Sequence, residues 1–386
     1  MYKIILMIDF AESYSKELLM GIAKYSKEHG PWVFCRMPLF QRETIGMQGI
    51  LEWAIEWGAD GIIGQFYNDP TVIAFKEAGI PIIAQDFKER FTEIPNITGA
   101  HREAGIMGAE YFLKKGFKQF AFYGFKKIVW SRERAEGFEN RVNKAGYKVH
   151  YFENDNSDSD NIWYYRPSAL SQWLKSLPKP IALMACDDNQ GQHITEACRH
   201  SGIAIPQEVA VLGVDNDEMI CEFSDPPLSS IAQDAEFGGY QTAKLLEEMI
   251  KDKNTPTRDI VVKPTQVITR QSSDIYATND HHIATALKYI HQNLEKTIQV
   301  NDVVKQVPLS RRTLEKRFQS ITGYPIYKYI SNLRMEKVSN RLLETDMNVF
   351  EIALELGLND TKNLSRQFKQ MKGVPPSAYR KQFTGH

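Results

Sequence analysis

The chain has 386 residues, 42% hydrophobic and 25% charged, an ordinary globular balance with room for two or three domains. The apolar run Ile4–Ile8, preceded by one basic residue, Lys3, is too short for a signal-peptide core or a membrane span. The formal net charge of −1 excludes a uniformly basic nucleic-acid binder. That average conceals an asymmetry, however. From His281 onward 17 Lys and Arg face 9 Asp and Glu, a net +8, which leaves −9 for the first 280 residues. An acidic body with a basic C-terminal quarter points to a nucleic-acid or anionic partner. The four cysteines, Cys35, Cys186, Cys198 and Cys221, form no CxxC pair and no zinc-ligand spacing. A reduced cytoplasmic protein without metal or cofactor is expected.

Along the first 230 residues, short β-rich runs alternate with helical periods. Lys3–Phe10 reads as a strand and Ser13–His29 as an amphipathic helix, with Leu18, Leu19, Ile22 and Tyr25 at helical spacing. Trp32–Arg36, Gly61–Phe66 and Pro81–Asp86 read as strands, with helical stretches around 47–57 and 71–78. Asn96–Thr98 precedes a helix, Glu103–Lys115, closed by Gly116. Phe120–Tyr123, a helix at 132–145, Lys148–Phe152, Ile181–Ala185 and Ala210–Val214 continue the alternation. Such order implies parallel sheets with crossover helices, here two lobes around a cleft. Residues 1–270 are read as the sensing and dimerisation domain, 271–281 as a polar linker, and 282–386 as an all-helical domain.

The helical domain contains a degenerate repeat. Leu314, Phe318, Gly323, Pro325 and Tyr329 recur fifty residues later as Leu364, Phe368, Gly373, Pro375 and Tyr379. Each copy reads as helix, turn, helix, at about 300–320 and 349–371, joined by a long helix near Tyr327–Leu343. Leu314 and Phe318 share one side of their helix, so Arg312 and Lys316 point away from it; Lys362 and Arg366 occupy the equivalent places in the second copy. Thr313 and Glu315 flank the first pair, Asn363 and Ser365 the second. These side-chain types read base edges in a major groove. Ser310 is the expected cap of the first such helix, followed by Arg311, and Asn359 or Asp360 caps the second. A single charged helix face is ordinarily solvated surface. Its recurrence in a segment of net +8 favours DNA.

Residues 283–383, through LSRRTLEKRF, LRMEKVSNRLLETD, VFEIALELGL and LSRQFKQMKGVPPSAYR, resemble the DNA-binding domain of the arabinose-operon-regulator family. The resemblance implies two recognition helices in successive major grooves, read by Arg312, Glu315, Lys316, Lys362, Asn363 and Arg366. Pro308 departs from the glycine usual in the first turn of that family.

In the sensor, the polar residues that follow strands are the ligand candidates. They are Asp9, Glu12 and Tyr14; Trp130 and Arg134; Asp187 and Asp188; Asp215 and Asn216; and Gln233. Each alone is an ordinary cap, turn or core residue. Together they offer acceptors, donors and an aromatic face, as a polyhydroxylated ligand requires. Their order, in RERAEGF, ACDD, GIAIPQEVAVLGVDN and PLSSIAQD…GGYQTAKLL, resembles the ligand-binding core of the lactose- and galactose-repressor family, with Asp187 replacing the usual Asn. By that resemblance the sensor is an α/β, two-lobed, periplasmic-binding-protein-like (type I) domain, and Arg134, Asp188, Asp215 and Gln233 line a sugar site.

The two resemblances together imply a dimeric, sugar-responsive regulator of a carbohydrate-utilisation operon. Its effector would be xylose or a related pentose and its partners operator DNA and, if it activates, RNA polymerase. A hexose, arabinose or an oligosaccharide is the alternative effector. A sugar-processing enzyme is the remaining rival, opposed by the lack of a nucleophile elbow, phosphate loop or HExxH motif.

Overall fold

A computed structural model describes the chain apart from residues 11, 39, 67–71, 153–165, 253, 276–277, 279, 295–297, 346, 357–360 and 385–386, and apart from the side chains at 42, 43, 336, 340, 344, 361–363 and 382–384. The chain divides into two compact units. One holds residues 1–113 and 118–273, the other 114–117 and 274–386.

The first unit opens with β1 (Lys3–Met7), α1 (Ser13–His29), β2 (Val33–Arg36), α2 (Phe40–Trp57), β3 (Gly61–Gln65), α3 (Val72–Glu77), β4 (Ile82–Gln85) and β5 (Asn96–Gly99). Then α4 (His101–Lys114) carries the chain to a second sheet. There follow β6 (Phe120–Tyr123), α5 (Val129–Lys144), β7 (Val149–Tyr151), α6 (Pro167–Ser176), β8 (Ile181–Ala185), α7 (Asp188–Ser201), β9 (Val209–Val214), α8 (Glu218–Phe223) and β10 (Ser229–Gln233). Helix α9 (Ala235–Lys251) returns to the first sheet for β11 (Ile260–Val262), and β12 (Pro264–Ile268) rejoins the second. The strand orders are β11-β5-β4-β3-β1-β2 and β12-β10-β9-β8-β6-β7. Every described pairing is parallel except β10 with β12. Helices cover both faces of each sheet, so β8 and β9 are apolar and buried along their whole length.

Helices α4 and α5 cross backbone to backbone. A Cβ at Gly105 would run into the Arg134 carbonyl, and one at Gly137 into that of Arg102. This reciprocal pair of glycines fixes where α5 presents Trp130 and Arg134.

Several boundaries differ from the sequence expectation. β1 ends at Met7, which leaves Asp9 in the loop beyond it, and α5 starts at Val129 rather than 132. Gln271–Ser273, at the start of the expected linker, form a 3-10 turn in which Ser272 and Ser273 are fully buried. Their hydroxyls bond to Val211 O and to Ser229 Oγ, and so belong to the second sheet.

The second unit comprises α10 (His281–Gln292), α11 (Val300–Val304), α12 (Arg311–Thr322), α13 (Ile326–Glu344), α14 (Val349–Glu355), α15 (Thr361–Lys372) and α16 (Pro376–Thr384). Two apolar cores share α13. One gathers Ile283, Leu287, Leu314, Phe318 and Tyr329; the other gathers Val338, Leu342, Ile352, Leu364, Phe368 and Tyr379. The sequence repeat is also a structural one. Phe318 meets Tyr329 edge-on at 5.2 Å, and Phe368 meets Tyr379 at 5.3 Å. Gly323 and Gly373 end their helices at φ 78° and 81°, where a side chain would be strained.

Candidate ligand cleft and nucleic-acid interface

A cavity of about 270 Å³ lies between the two sheets of the first unit, at the carboxyl ends of their strands. From the first lobe it is lined by Glu12, Ser13 and Tyr14 beyond β1, Gln65 at the end of β3, Gln85, Asp86 and Phe87 at β4, and His101 at the start of α4. The other lobe contributes Trp130 and Arg134 from α5, Asp187–Gln190 after β8, and Asp215, Asp217, Met219 and Ile220 after β9. The lobes are pinned beside it by Arg90, whose guanidinium forks onto Glu133 at 2.9 and 2.6 Å.

Arg134 is 3% exposed and organises one wall. It donates to Cys186 O at 2.5 Å and to both oxygens of Asp215, at 2.9 and 3.3 Å. Its guanidinium stands 5.3 Å from the centre of the Trp130 ring. The Gln233 amide donates to the same Asp215 carboxylate, from a register shift in β10 between Ala232 and Gln233 that re-aims the side chain. Asp215 and the next residue, Asn216, have φ 100° and 50°, a conformation that side-chain-bearing residues rarely adopt.

Asp188 is a brace. Its Oδ1 accepts from Ser230 Oγ at 2.6 Å and its Oδ2 from the Asp217 N–H at 2.7 Å, which joins α7, β10 and the loop after β9. Asp187 caps α7 by accepting from the Gln190 N–H at 2.7 Å. Burial and the Asp215 charge push Asp187 up to about 6, against that bond and Arg134. Burial pushes Glu12 up to about 8, with Asp9, Asp187, Asp215 and Asp217 adding repulsion across the cleft. Burial also keeps His101 below its ordinary value, against a contact with Asp86 at 3.2 Å. Three buried polar atoms of cleft-lining residues have no hydrogen-bond partner: Gln85 Oε1, His101 Nδ1 and Arg134 Nε. Such orphans are costly unless a ligand or water satisfies them.

Of the sequence candidates, Glu12, Tyr14, Trp130, Arg134, Asp188 and Asp215 line the cavity. Asp9, Gln233 and Asn216 do not. Asp9 adjoins Glu12 electrostatically, and Gln233 stands behind Asp215. Asn216 is a correction: its left-handed φ turns the amide toward Arg270, whose Nη1 donates to Oδ1 at 3.0 Å. Gln65, Gln85, Asp86, Phe87, His101 and Asp217 were missed. The first three end strands or immediately follow them, so the rule used for Asp188 and Asp215 would have found them.

In the second unit, Ser310 caps α12 through the Thr313 N–H at 3.2 Å, and Arg311 reaches Asn301 Oδ1 at 3.3 Å. Arg312, Lys316 and Arg366 are exposed, Thr313 and Ser365 half-buried, opposite the buried Leu314, Phe318, Leu364 and Phe368. Glu315 departs from its expected base-reading role: its Oε2 accepts from the Ile326 N–H at 3.2 Å and caps α13. Lys362 and Asn363 fall within α15, with side chains outside the described set. Among the described residues no helix is long and apolar enough to cross a membrane.

Residues 109–273 match the periplasmic binding protein-like domain family, and residues 303–382 a helix-turn-helix domain family. A ligand cleft in such a core, followed by paired helix-turn-helix units, defines a DNA-binding transcription regulator with its own small-molecule sensor. The chain is homologous, end to end, to the xylose operon regulatory proteins. It is 28% identical to that of Escherichia coli (strain K12), over 98% of this chain and 97% of that protein. To that of Haemophilus influenzae it is 29% identical, over 98% of each. A solved xylose-binding transcription activator covers 98% of this chain and 97% of its own, at 26% identity and TM-score 0.62. The regulator CelR bound to cellobiose shares the sensor fold, at TM-score 0.58 over 70% of this chain and 84% of its own, with 21% identity.

Proposed function

We propose that this chain is a cytoplasmic, dimeric, xylose-responsive transcription regulator that binds the free pentose in the inter-lobe cleft and operator DNA through α12 and α15. The observation that carries the effector class is the cleft itself: hydrogen-bonding side chains from both lobes, an aromatic face at Trp130, and three buried polar atoms awaiting partners. Its volume of about 270 Å³ lies at the bottom of the usual range for ligand cavities, roughly 300–1,000 Å³. That size favours a monosaccharide over an oligosaccharide. Xylose in particular rests on the end-to-end similarity to xylose operon regulatory proteins. Glu12, Tyr14, Trp130, Arg134 and Asp215 are its proposed contacts, and Arg312, Lys316, Lys362, Asn363 and Arg366 face DNA. RNA polymerase is a partner if the protein activates. The chain binds its sugar without turning it over.

A thermal-shift panel of xylose, arabinose, ribose, glucose, galactose and cellobiose tests the reading. Ligand at 100 times its Kd stabilises by about 2.7 kcal/mol, or about 5–11 °C at roughly 2–4 °C per kcal/mol. A shift with another sugar and none with xylose replaces the effector; turnover of any sugar by the purified protein replaces the binding reading.

A further inference from the structure

We propose that Arg270 is a positioning residue that ties the ligand-facing loop Asp215–Asp217 to the segment by which the chain leaves the sensor, so that cleft occupancy sets the conformation of residues 270–274. This rests on the ligand reading above and names how its signal departs.

The loop is the moving part. Asp215 and Asp217 line the cleft, and Asn216 between them faces away, with both Asp215 and Asn216 at positive φ. Backbone in that region persists only where its surroundings hold it. Inside, Arg134 and Gln233 hold Asp215. Outside, Arg270 holds Asn216: its Nη1 donates to Asn216 Oδ1 and to Leu228 O, both at 3.0 Å. A ligand that draws on Asp215 or Asp217 therefore pulls on Arg270.

Arg270 is in turn locked to the exit. Its N–H donates to Ser229 Oγ at 2.7 Å, and that hydroxyl donates to Arg270 O at 2.9 Å. Ser273 Oγ meets Ser229 Oγ at 2.7 Å, and Tyr111 OH, on the helix that begins at the cleft with His101, meets Ser273 Oγ at 2.7 Å. The next residue, Asp274, opens the second unit. Its Oδ2 lies 2.7 Å from Nδ1 of His291 on α10, and Nε2 of His291 lies 2.9 Å from Tyr329 OH on α13. The Tyr329 ring packs edge-on against Phe318 of α12. Hydrogen bonds thus run from the cleft loop to the Ser273–Asp274 peptide bond, and again from Asp274 to the core beneath a recognition helix.

Hydrogen–deuterium exchange on the full chain, with and without D-xylose, tests the link alongside thermal shift. In the wild type, xylose changes exchange across 270–274 and α10 by about fivefold or more, the scale of ordinary allosteric coupling. Asn216→Gly removes the acceptor at a φ that glycine adopts freely, and Arg270→Gln removes the donor; neither residue lines the cleft. Both are expected to keep the xylose-induced rise in Tm and to lose the exchange response at α10. Asn216→Asp, which keeps an acceptor for Arg270, is expected to retain it. A destabilised but uncoupled structure would shift exchange in both ligand states alike, whereas loss of the link abolishes their difference. Retention of the response in both Asn216→Gly and Arg270→Gln overturns the proposal, as does a wild type whose Tm rises without any change at α10. If no sugar of the panel moves the wild-type Tm, the ligand reading fails first and this inference falls with it.

Discussion

Replacing Arg134 by Met isolates the interaction on which the cleft wall depends. Arg134 is almost fully buried and Asp215 about one-fifth exposed, with 2.9 Å between Nη2 and Oδ1. Methionine fills similar volume but leaves the Asp215 carboxylate facing Gln233 alone on that side, among Asp187, Asp188 and Asp217. The Cys186 carbonyl also loses its donor. Removing one partner of a buried pair costs about 3–5 kcal/mol, and the partial exposure of Asp215 favours the lower figure. At roughly 2–4 °C per kcal/mol, the sensor's Tm should fall by about 6–12 °C. Adding Asp215→Asn removes the stranded charge, so the double variant should recover about half of the loss. Scanning calorimetry of wild type, both single variants and the double variant at constant pH reads the cycle. A fall of less than about 2 °C in Arg134→Met, or no recovery in the double variant, refutes the reasoning.

Glu12 gives a pH dependence. Its folded value of about 8 lies above the ordinary 4.5, so the stability it supplies is complete below 4.5 and is lost as pH rises through 8. The ligand-free Tm should decline between pH 7 and 9, and Glu12→Gln should flatten that decline; parallel curves for the two proteins would contradict it. On DNA, Lys316→Ala and Arg366→Ala should each weaken operator binding by about 1–3 kcal/mol where a base edge is read, and lower the salt slope by about one where a phosphate is neutralised. Unchanged affinity and slope in gel shifts at several salt concentrations would remove both residues from the interface. Gly137→Ala should cost about 1–3 kcal/mol by overpacking, because its Cβ would run into the Arg102 carbonyl. A wild-type Tm and wild-type sugar affinity would show that the crossing of α4 and α5 is not what sets Arg134.

What the sequence made legible follows from how strongly each feature is over-determined. Helix α1 was readable end to end, because Leu18, Ile22 and Tyr25 mark one face and Gly30 closes it. The buried parallel strands β8 and β9 are unbroken apolar runs. The repeat declared itself through residue types, and Phe318–Tyr329 and Phe368–Tyr379 show its reason: one aromatic pair seals each core. Strands β11 and β12 escaped notice because each is short, and charged residues or proline adjoin them. The same physics explains the site. Residues after strands can be located by pattern, and most of those named do line the cavity. Which way a side chain turns cannot be located so, because it depends on partners remote in sequence. Asn216 answers to Arg270, 54 residues on, and Glu315 to the start of the following helix.

Those departures are concentrated where the fold is least relaxed. Asp215 and Asn216 violate the usual backbone preference in the loop that faces both the cleft and the sensor's exit. Such a conformation costs about 1–3 kcal/mol per residue, less for Asp and Asn than for bulkier side chains. Four separate contacts sustain it: Arg134, Gln233, the Ser230 hydroxyl that accepts the Asn216 N–H at 3.0 Å, and Arg270. Two of these face inward, where a sugar competes or adds, and two face the final strand and exit. A ligand can shift an equilibrium only by its differential affinity for the two states. A strained loop with its restraints divided between cleft and exit supplies that difference, because any change in the inner bonds alters what the outer ones must hold.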